Sequence, residues 1–389
     1  MTHDTILDRA RAVGPAFTDH ADEAERTGTL PRAAVDAALQ ANLFHAIVPI
    51  ELGGLGANAT TAIEMLEILS EADGSAGWSV MANSLMTAVA AAFCGDGALD
   101  AIFGQDAPAV FAGMPGPGGK ASRVQGGIQG SGNYSFASGS GHANWLTGGM
   151  LILDESGNPA LLPSGEPEVQ VVMVPRERCE LTGNWDVMGL CGTGSYDFAI
   201  GDQLIGDDYT FERTSTERQR GGPIFDIGLA GWSCVGHGGV ALGITARALR
   251  EIAELAMTKR RPGYPGPVGD HDLFLHDFAH HEASYLASRL YLLDTFATAE
   301  AVLDAGGELT DEHRQRFRQA LTYTHKVGAD VVRWCYQWSG SAGLRLPHAL
   351  GRCMRDINVA TQHMYLDPTS YINAGSVIRD SWRTLPDAS

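Results

Sequence analysis

The sequence predicts an α+β protein of three successive units: a helical N-terminal domain, a middle antiparallel β-barrel or sandwich, and a C-terminal four-helix bundle. Three observations carry this. From Ile6 to about Ile102, Ala, Leu and Glu are frequent and apolar residues recur three and four positions apart, the period of a helix with one buried face. Near Ala107 the chain becomes glycine-rich and breaks into short β-type runs. After Arg220-Gly-Gly-Pro223 helical periodicity returns in long segments. The boundaries fall at 1–107, 108–220 and 221–389, and a chain of 389 residues exceeds one typical domain.

In the first unit, Pro31 marks a helix start with Thr29 available as a cap. Pro49-Ile-Glu-Leu-Gly-Gly-Leu-Gly56 reads as a turn between helices. A helix from Thr60 to about Asp73 carries Ile63, Leu66 and Leu69 on one face, and Asp73-Gly-Ser75 caps a further helix containing Trp78. In the second unit the β-type runs are Ala109–Ala112, Gly127–Ser131, Asn133–Phe136, Met150–Leu153, Val169–Val174 and Ser195–Ile200, separated by Gly, Pro and Asn turns. The third unit has periodic segments at about 227–260, 271–305, 310–340 and 347–364, with loops at Pro262–Pro267 and Ala305–Gly307; four long helices after a β unit suggest an antiparallel bundle.

Composition narrows the function classes. A formal net charge of −19 argues against a nucleic-acid or anionic-membrane surface, which would repel the chain. Six cysteines without a C-x-x-C pair suggest reduced thiols in a cytoplasmic protein. The N-terminus lacks the apolar run of a signal peptide, and no apolar stretch reaches the roughly 20 residues needed to span a bilayer. His276 and His280 share a helical face, but no H-E-x-x-H accompanies them, so no metal site is expected.

Four blocks carry chemistry. Asp73-Gly-Ser-Ala-Gly-Trp78 places an aromatic ring near a helix start. Gly132-Asn-Tyr-Ser-Phe-Ala-Ser-Gly-Ser-Gly-His-Ala-Asn-Trp145 ends a strand in a turn of small residues, bringing backbone N–H groups and hydroxyls close to whatever lies above. Trp185-Asp-Val-Met-Gly-Leu-Cys-Gly-Thr-Gly-Ser-Tyr-Asp197 is a second such turn, with the Thr193 and Ser195 hydroxyls. Trp338–Tyr365 reads as a Gly/Ser-rich turn, a Pro-marked helix start, the set Arg352, Arg355 and Asp356, and then His363, seven residues after the aspartate. For each block a plain structural reading, as core tryptophan, hairpin or glycine turn, competes with the functional one.

Together these blocks resemble the acyl-CoA dehydrogenase superfamily over nearly the whole chain, and within it the branch of two-component, reduced-flavin-dependent monooxygenases. The dehydrogenases remove a substrate proton with a glutamate shortly after the R-x-x-R-D helix. Here that stretch is Gln362-His363-Met364-Tyr365, and no Glu occurs between Arg218 and Arg250. The resemblance therefore implies an oxygenase component that takes FMNH2 or FADH2 from a separate NAD(P)H:flavin reductase. It would react with O2 through a C4a-hydroperoxide and hydroxylate an aromatic or polycyclic small molecule.

By the same resemblance His363 and Ser138 are the catalytic residues. Trp78, Ser138, His142, Trp145, Thr193 and Ser195 build the flavin pocket. Arg261, which also suits a helix C-terminus by charge, faces flavin phosphate. A homotetramer lets the Gly340-Ser341 turn reach a flavin across the subunit interface. Phenol-hydroxylating members carry a second active-site histidine near Asn83–Thr87, and this chain has none between His45 and His142. That leaves the substrate open, and leaves two alternatives: a dehydrogenase-type flavin oxidoreductase with another base, and a catalytically silent flavin-fold subunit.

Overall fold

The computed structural model describes residues 2–384. Its first unit holds α1 (His3–Thr27), α2 (Arg32–Gln40), α3 (Ala59–Ala72), α4 (Gly74–Phe93) and the short α5 (Leu99–Phe103). α1 buries Ile6, Leu7, Ala10, Val13, Phe17, Ala21 and Ala24, a single stripe at helical spacing. α2 begins after Pro31 as expected, but Thr29 does not cap it; Pro31 itself occupies the cap position, without a side-chain hydrogen bond. Asn58 caps α3 by accepting from the Thr61 N–H at 3.0 Å. Asp73 caps α4 by accepting from the Ala76 N–H at 2.9 Å, so the start of the Trp78 helix is fixed.

The middle unit is one sheet of seven strands: β1 (Phe111–Val124), β2 (Gly127–Ala137), β3 (Trp145–Leu153), β4 (Val169–Pro175), β5 (Cys179–Gly183), β6 (Tyr196–Gly206) and β7 (Thr210–Glu212). The spatial order is β5-β6-β2-β1-β3-β4-β7. The expected antiparallel barrel is corrected to a mixed sheet, because β1 runs parallel to β3 while the other described pairs are antiparallel. β1 escapes the strand pattern because its Met114–Gly119 segment is rich in Pro and Gly. The ladder to β3 shifts register there, at Met114/Pro117 and Pro117/Gly119, which is where a strand tolerates residues that cannot hold a regular ladder.

The last unit contains α6 (Gly228–Ala256), α7 (Asp272–Asp304), α8 (Asp311–Ser339), α9 (Ala349–Ala360) and α10 (Thr369–Thr384). The expected fourth helix stops three residues before His363, which instead caps a 3₁₀ turn at Met364–Leu366. The chain then restarts as α10 after Pro368, a fifth helix that the periodicity does not reveal. α4 and α6 are apolar almost all round, and both Gly74–Phe93 and Pro223–Ala256 are long and apolar enough to cross a bilayer. That revises the sequence expectation, but nearly all of each segment is buried inside the protein, as for a central core helix.

A partly buried ionic knot joins α9 to α1, to the start of α4 and to the 185–195 segment. Arg352 of α9 pairs with Asp22 and with Glu25 (3.1 Å) on α1, and lies 3.9 Å from Asp73 at the start of α4. Arg355 pairs with Glu25, and Asp356 accepts the Leu190 N–H at 2.6 Å. A Cβ on Gly74 would lie 2.9 Å from the Asp356 carboxylate, so only glycine lets α4 approach so closely. The Arg-Asp set thus positions the Trp78 helix and the Thr193/Ser195 turn.

Burial, with Asp73 beside it, pushes the Asp356 carboxyl up to about 7, against the opposing pull of the Leu190 N–H and Arg352. The folded state therefore holds this proton more tightly than the unfolded chain. Its contribution favours folding below about pH 4 and is lost as pH rises through about 7. We expect Asp356→Asn, which keeps an acceptor for Leu190, to flatten part of this decline. The urea midpoint should change less between about pH 4 and 7 than in the parent protein; an equal change in both proteins contradicts the assignment.

Candidate active site

The two small-residue turns and the Trp78 helix meet through one directed chain of hydrogen bonds. Trp78 Nε1–H donates to Ser138 Oγ at 3.1 Å. Ser138 Oγ lies 2.7 Å from Ser195 Oγ, and Ser195 Oγ lies 2.7 Å from Thr193 Oγ1. Thr193 Oγ1–H donates to the Leu190 carbonyl at 2.8 Å. Because that carbonyl can only accept and the indole can only donate, every proton is assigned: Ser195 donates to Thr193, and Ser138 donates to Ser195. Ser138 then retains one free lone pair, and so presents an acceptor.

Asn83 and His142 hold Ser138 in place. Asn83 Nδ2 donates to the Ser138 carbonyl at 3.1 Å and to the Phe111 carbonyl at 2.8 Å, while Asn83 Oδ1 lies 2.9 Å from His142 Nε2. An amide oxygen accepts, so His142 carries its proton on Nε2. Burial, with Arg32 adding to it, lowers the His142 pKa to about 4, and the ring is neutral at pH 7. Gly139 adopts φ +74°, and a Cβ there would lie 2.3 Å from Asn83 Oδ1, so this turn depends on glycine twice over.

Above this chain lies a cluster of rings. Trp78 and His237 have centroids 4.7 Å apart, His237 and His363 3.9 Å, Trp78 and His363 6.3 Å, and His363 and Tyr365 5.4 Å. His237, from α6, is the histidine that sequence reasoning misses. The resemblance points to Asn83–Thr87 for a second histidine, and there Asn83 serves the backbone instead. The available signal is Trp232-Ser-Cys-Val-Gly-His-Gly-Gly-Val240, where one imidazole interrupts a long apolar, glycine-rich run.

Electrostatics keep the cluster neutral. Burial lowers the His363 pKa to about 4. Burial, reinforced by His363 and His325, holds His237 well below the usual histidine range. Burial also lowers His325 on α8 to about 4, despite its hydrogen bond to the Leu321 carbonyl. The Tyr365 N–H donates to His363 Nδ1 at 3.4 Å, so the neutral His363 ring carries its proton on Nε2 and offers a donor.

The remaining predicted positions lie elsewhere. Trp145 stacks between Phe111 (5.6 Å) and Tyr209 (6.1 Å) in the sheet core, outside the Trp78–His363 ring cluster. Arg261 lies beyond the end of α6 and donates to the Gln337 and Trp338 carbonyls at 3.0 and 2.7 Å, with its guanidinium 4.9 Å from the Trp338 ring centroid. Gly340, at φ +53°, ends α8 within reach of Lys259 and Arg261, and Ser341 is exposed. These three sit together at the α8 C-terminus, apart from the ring cluster.

The arrangement fits a flat, hydrogen-bonding cofactor: an acceptor at Ser138 in a turn of small residues, with Trp78 and neutral imidazoles alongside. Fold and site define a protein of the acyl-CoA dehydrogenase class. Residues 2–98 match the family described as acyl-CoA dehydrogenase, N-terminal domain, and residues 235–368 match acyl-CoA dehydrogenase, C-terminal domain; the chain belongs to that superfamily. It is 29% identical to an indole-3-acetate monooxygenase of Pseudomonas putida over 95% of this chain and 94% of the relative. It is 23% identical to the oxygenase component of an FADH2-dependent resorcinol hydroxylase of Rhizobium sp., over 94% and 91%. Among solved structures, XiaF from Streptomyces sp. with FADH2 and glycerol superposes with a TM-score of 0.89 at 22% identity, covering 97% of this chain and 96% of that one. The first of these is a monooxygenase by name, the second is an FADH2-dependent oxygenase component by name, and the third holds FADH2.

Asn83 is fully buried and serves three partners. Asn83→Ala should cost about 1–3 kcal/mol for each group left stranded, measured by urea unfolding. It should also weaken flavin binding by freeing the Ser138 turn. Unchanged stability and flavin affinity would refute the positioning role.

Proposed function

We propose that this protein is the oxygenase component of a two-component monooxygenase, which uses reduced flavin and O2 to hydroxylate an aromatic or polycyclic small molecule. The observation that supports the reading is that neutral histidines, His363 and His237, pack beside Trp78, and that His363 stands in the stretch after the R-x-x-R-D helix where the resemblance would put a dehydrogenase's glutamate. Glu251, the first glutamate along α6, is turned to Arg247 at 2.7 Å. The buried Glu67 belongs to Tyr285 and Arg289. The similarity to named monooxygenases across nearly the whole chain supports the same reading.

Reduced flavin supplies the electrons that activate O2; one oxygen atom enters the substrate and the other leaves as water. The protein's part is to bind, orient and exclude solvent. Ser138 accepts a hydrogen bond through its free lone pair, and its position is fixed from behind by Trp78, Ser195 and Asn83. His363 presents Nε2–H to a substrate oxygen or nitrogen. Removing a proton instead would require the ring to release the Tyr365 N–H, so the tautomer assigned from that bond favours hydrogen-bond donation. The reading extends to Trp78, Thr193, Ser195 and His142 as flavin-pocket residues. It also extends to Arg261, Gly340 and Ser341 as a flavin-phosphate contact reached in a homotetramer, to a separate NAD(P)H:flavin reductase and to a cytoplasmic location. The units at 1–107, 108–220 and 221–389 are proposed as its domains.

Stopped-flow mixing of the reduced-flavin-loaded protein with O2 tests the class. A transient species distinct from both reduced and oxidised flavin supports it; bleaching of tightly held oxidised flavin by an acyl-CoA would show a dehydrogenase instead. His363→Ala is expected to reduce coupled product formation by about 10²–10⁴-fold while hydrogen peroxide release continues, and unchanged yield removes the residue from the mechanism. Because His363 and His325 are charged only below about pH 4, coupling should show no histidine inflection across neutral pH and should fall only as pH drops toward 4. An inflection between about pH 6 and 7 in the parent protein would contradict the neutral cluster.

A further inference from the structure

α8 presents a stripe of unsatisfied polar groups to the interior. Gln315 Oε1, Arg318 Nε, Thr322 Oγ1 and His325 Nε2 are buried without a hydrogen-bond partner among the described residues. Their spacing of three, four and three puts them on one helical face. Arg213, just past β7, repeats the feature with a buried, unpartnered Nε. Neither Arg213 nor Arg318 forms an ion pair among the described residues, although acidic residues outnumber basic ones 46 to 27 in this chain. Arg318 acts electrostatically on Asp367, an exposed carboxylate that accepts from the Thr369 N–H, but forms no ion pair with it.

Both guanidinium groups converge on Tyr365. Arg318 lies 5.4 Å from its ring centroid, and both arginines act electrostatically on its phenol. Tyr365 in turn packs against His363, and the Ser233 hydroxyl beside it is one helical turn from His237 on α6. The arginines therefore stand at one end of the ring cluster. Arg318 and His325 are seven residues apart on α8, about 10 Å along the helix, the scale of a fused aromatic ring carrying a short acid arm.

Resting on the monooxygenase reading, we propose that Arg213 and Arg318 form an oxyanion subsite that binds the carboxylate of an acidic aromatic substrate, holding its ring against His237 and His363. Each arginine is half-buried with an inward, unpartnered Nε, and an arginine fork matches a carboxylate in two parallel hydrogen bonds. The histidines cannot serve this purpose, because burial keeps them uncharged at neutral pH. The Tyr365 phenol adds a hydroxyl at the same place, while the Ser233 hydroxyl donates to the Leu229 carbonyl at 2.9 Å. The other source of an oxyanion is the flavin phosphate, and the test separates the two.

The experiment is anaerobic calorimetric titration of the full chain, with and without reduced FMN, using indole-3-acetate and phenylacetate against their neutral amides. The parent protein should bind at least one acid about ten-fold or more tighter than its amide. Arg213→Met and Arg318→Met should abolish that preference, and Arg318→Lys should restore part of it. FMN and riboflavin titrations on the same variants check folding and the phosphate alternative. The proposal is overturned if acids and amides bind alike, if no acid binds in either flavin state, or if the preference survives both Met substitutions. It is equally overturned if the variants lose FMN relative to riboflavin while keeping the acid preference. Since nothing turns over in this measurement, its failure leaves the oxygen-reaction test standing, and a failed oxygen reaction does not alter the binding result.

Discussion

The structure depends on the charge knot around Arg352. Three carboxylates, Asp22, Glu25 and Asp73, converge on it, and Asp73 lies close enough to Asp356 to raise that carboxyl's cost of ionisation. Buried ions contribute little net stability, because desolvation offsets their attraction. Their contribution is geometry. α1, α4, α9 and the 185–195 turn are brought to one point, and two of these carry Trp78 and the Thr193/Ser195 hydroxyls. The knot fixes the distances of the site without taking part in its chemistry.

From that frame the site inherits direction as well as position. The chain from Trp78 to Leu190 ends in a backbone carbonyl at one end and an indole at the other, so its hydroxyls cannot reorient independently. Ser138 is an acceptor by construction, and His363, tied to the Tyr365 N–H, is a donor. A site with a fixed acceptor below and a fixed donor above recognises a polar molecule by its pattern of protons while carrying no net charge. This separates it from a carboxylate-based proton abstractor built on the same fold.

Much of this is legible in the sequence, for reasons that also explain the omissions. Period and composition show the order of helices, sheet and helices, since amphipathic helices such as α1 and α8 write their buried face in the chain. β1 is hidden because its prolines and glycines break the strand alphabet where the ladder itself is irregular. α10 is hidden because the apolar period fades near Tyr365, before the chain turns at Pro368. The Ser138 and Thr193/Ser195 turns are readable because glycine and hydroxyl residues cluster locally. His237 is not, because its pairing with His363 joins positions 126 residues apart on different helices, and a histidine in an apolar helix has no local partner to announce it. The Arg352 set stands out as a signature, but only the structure shows that its partners are α1 and α4.

Arg213 and Arg318 mark the same limit. Each is ordinary in sequence, one after a short strand and one in a polar helix, and neither belongs to any motif read from the chain. Their meaning is in the subtraction: a strongly acidic protein leaves two arginines with an inward Nε and no carboxylate partner among the described residues, beside a neutral ring cluster. The division of labour is then physically consistent. Fixed positive charge sits at the far end, where it can hold an anion without polarising the reacting atoms, and uncharged donors and acceptors sit where oxygen and ring must meet. Moving the charge next to His363 would strengthen binding, but it would also reorient the hydrogen-bonding groups whose fixed pattern of donors and acceptors defines the site.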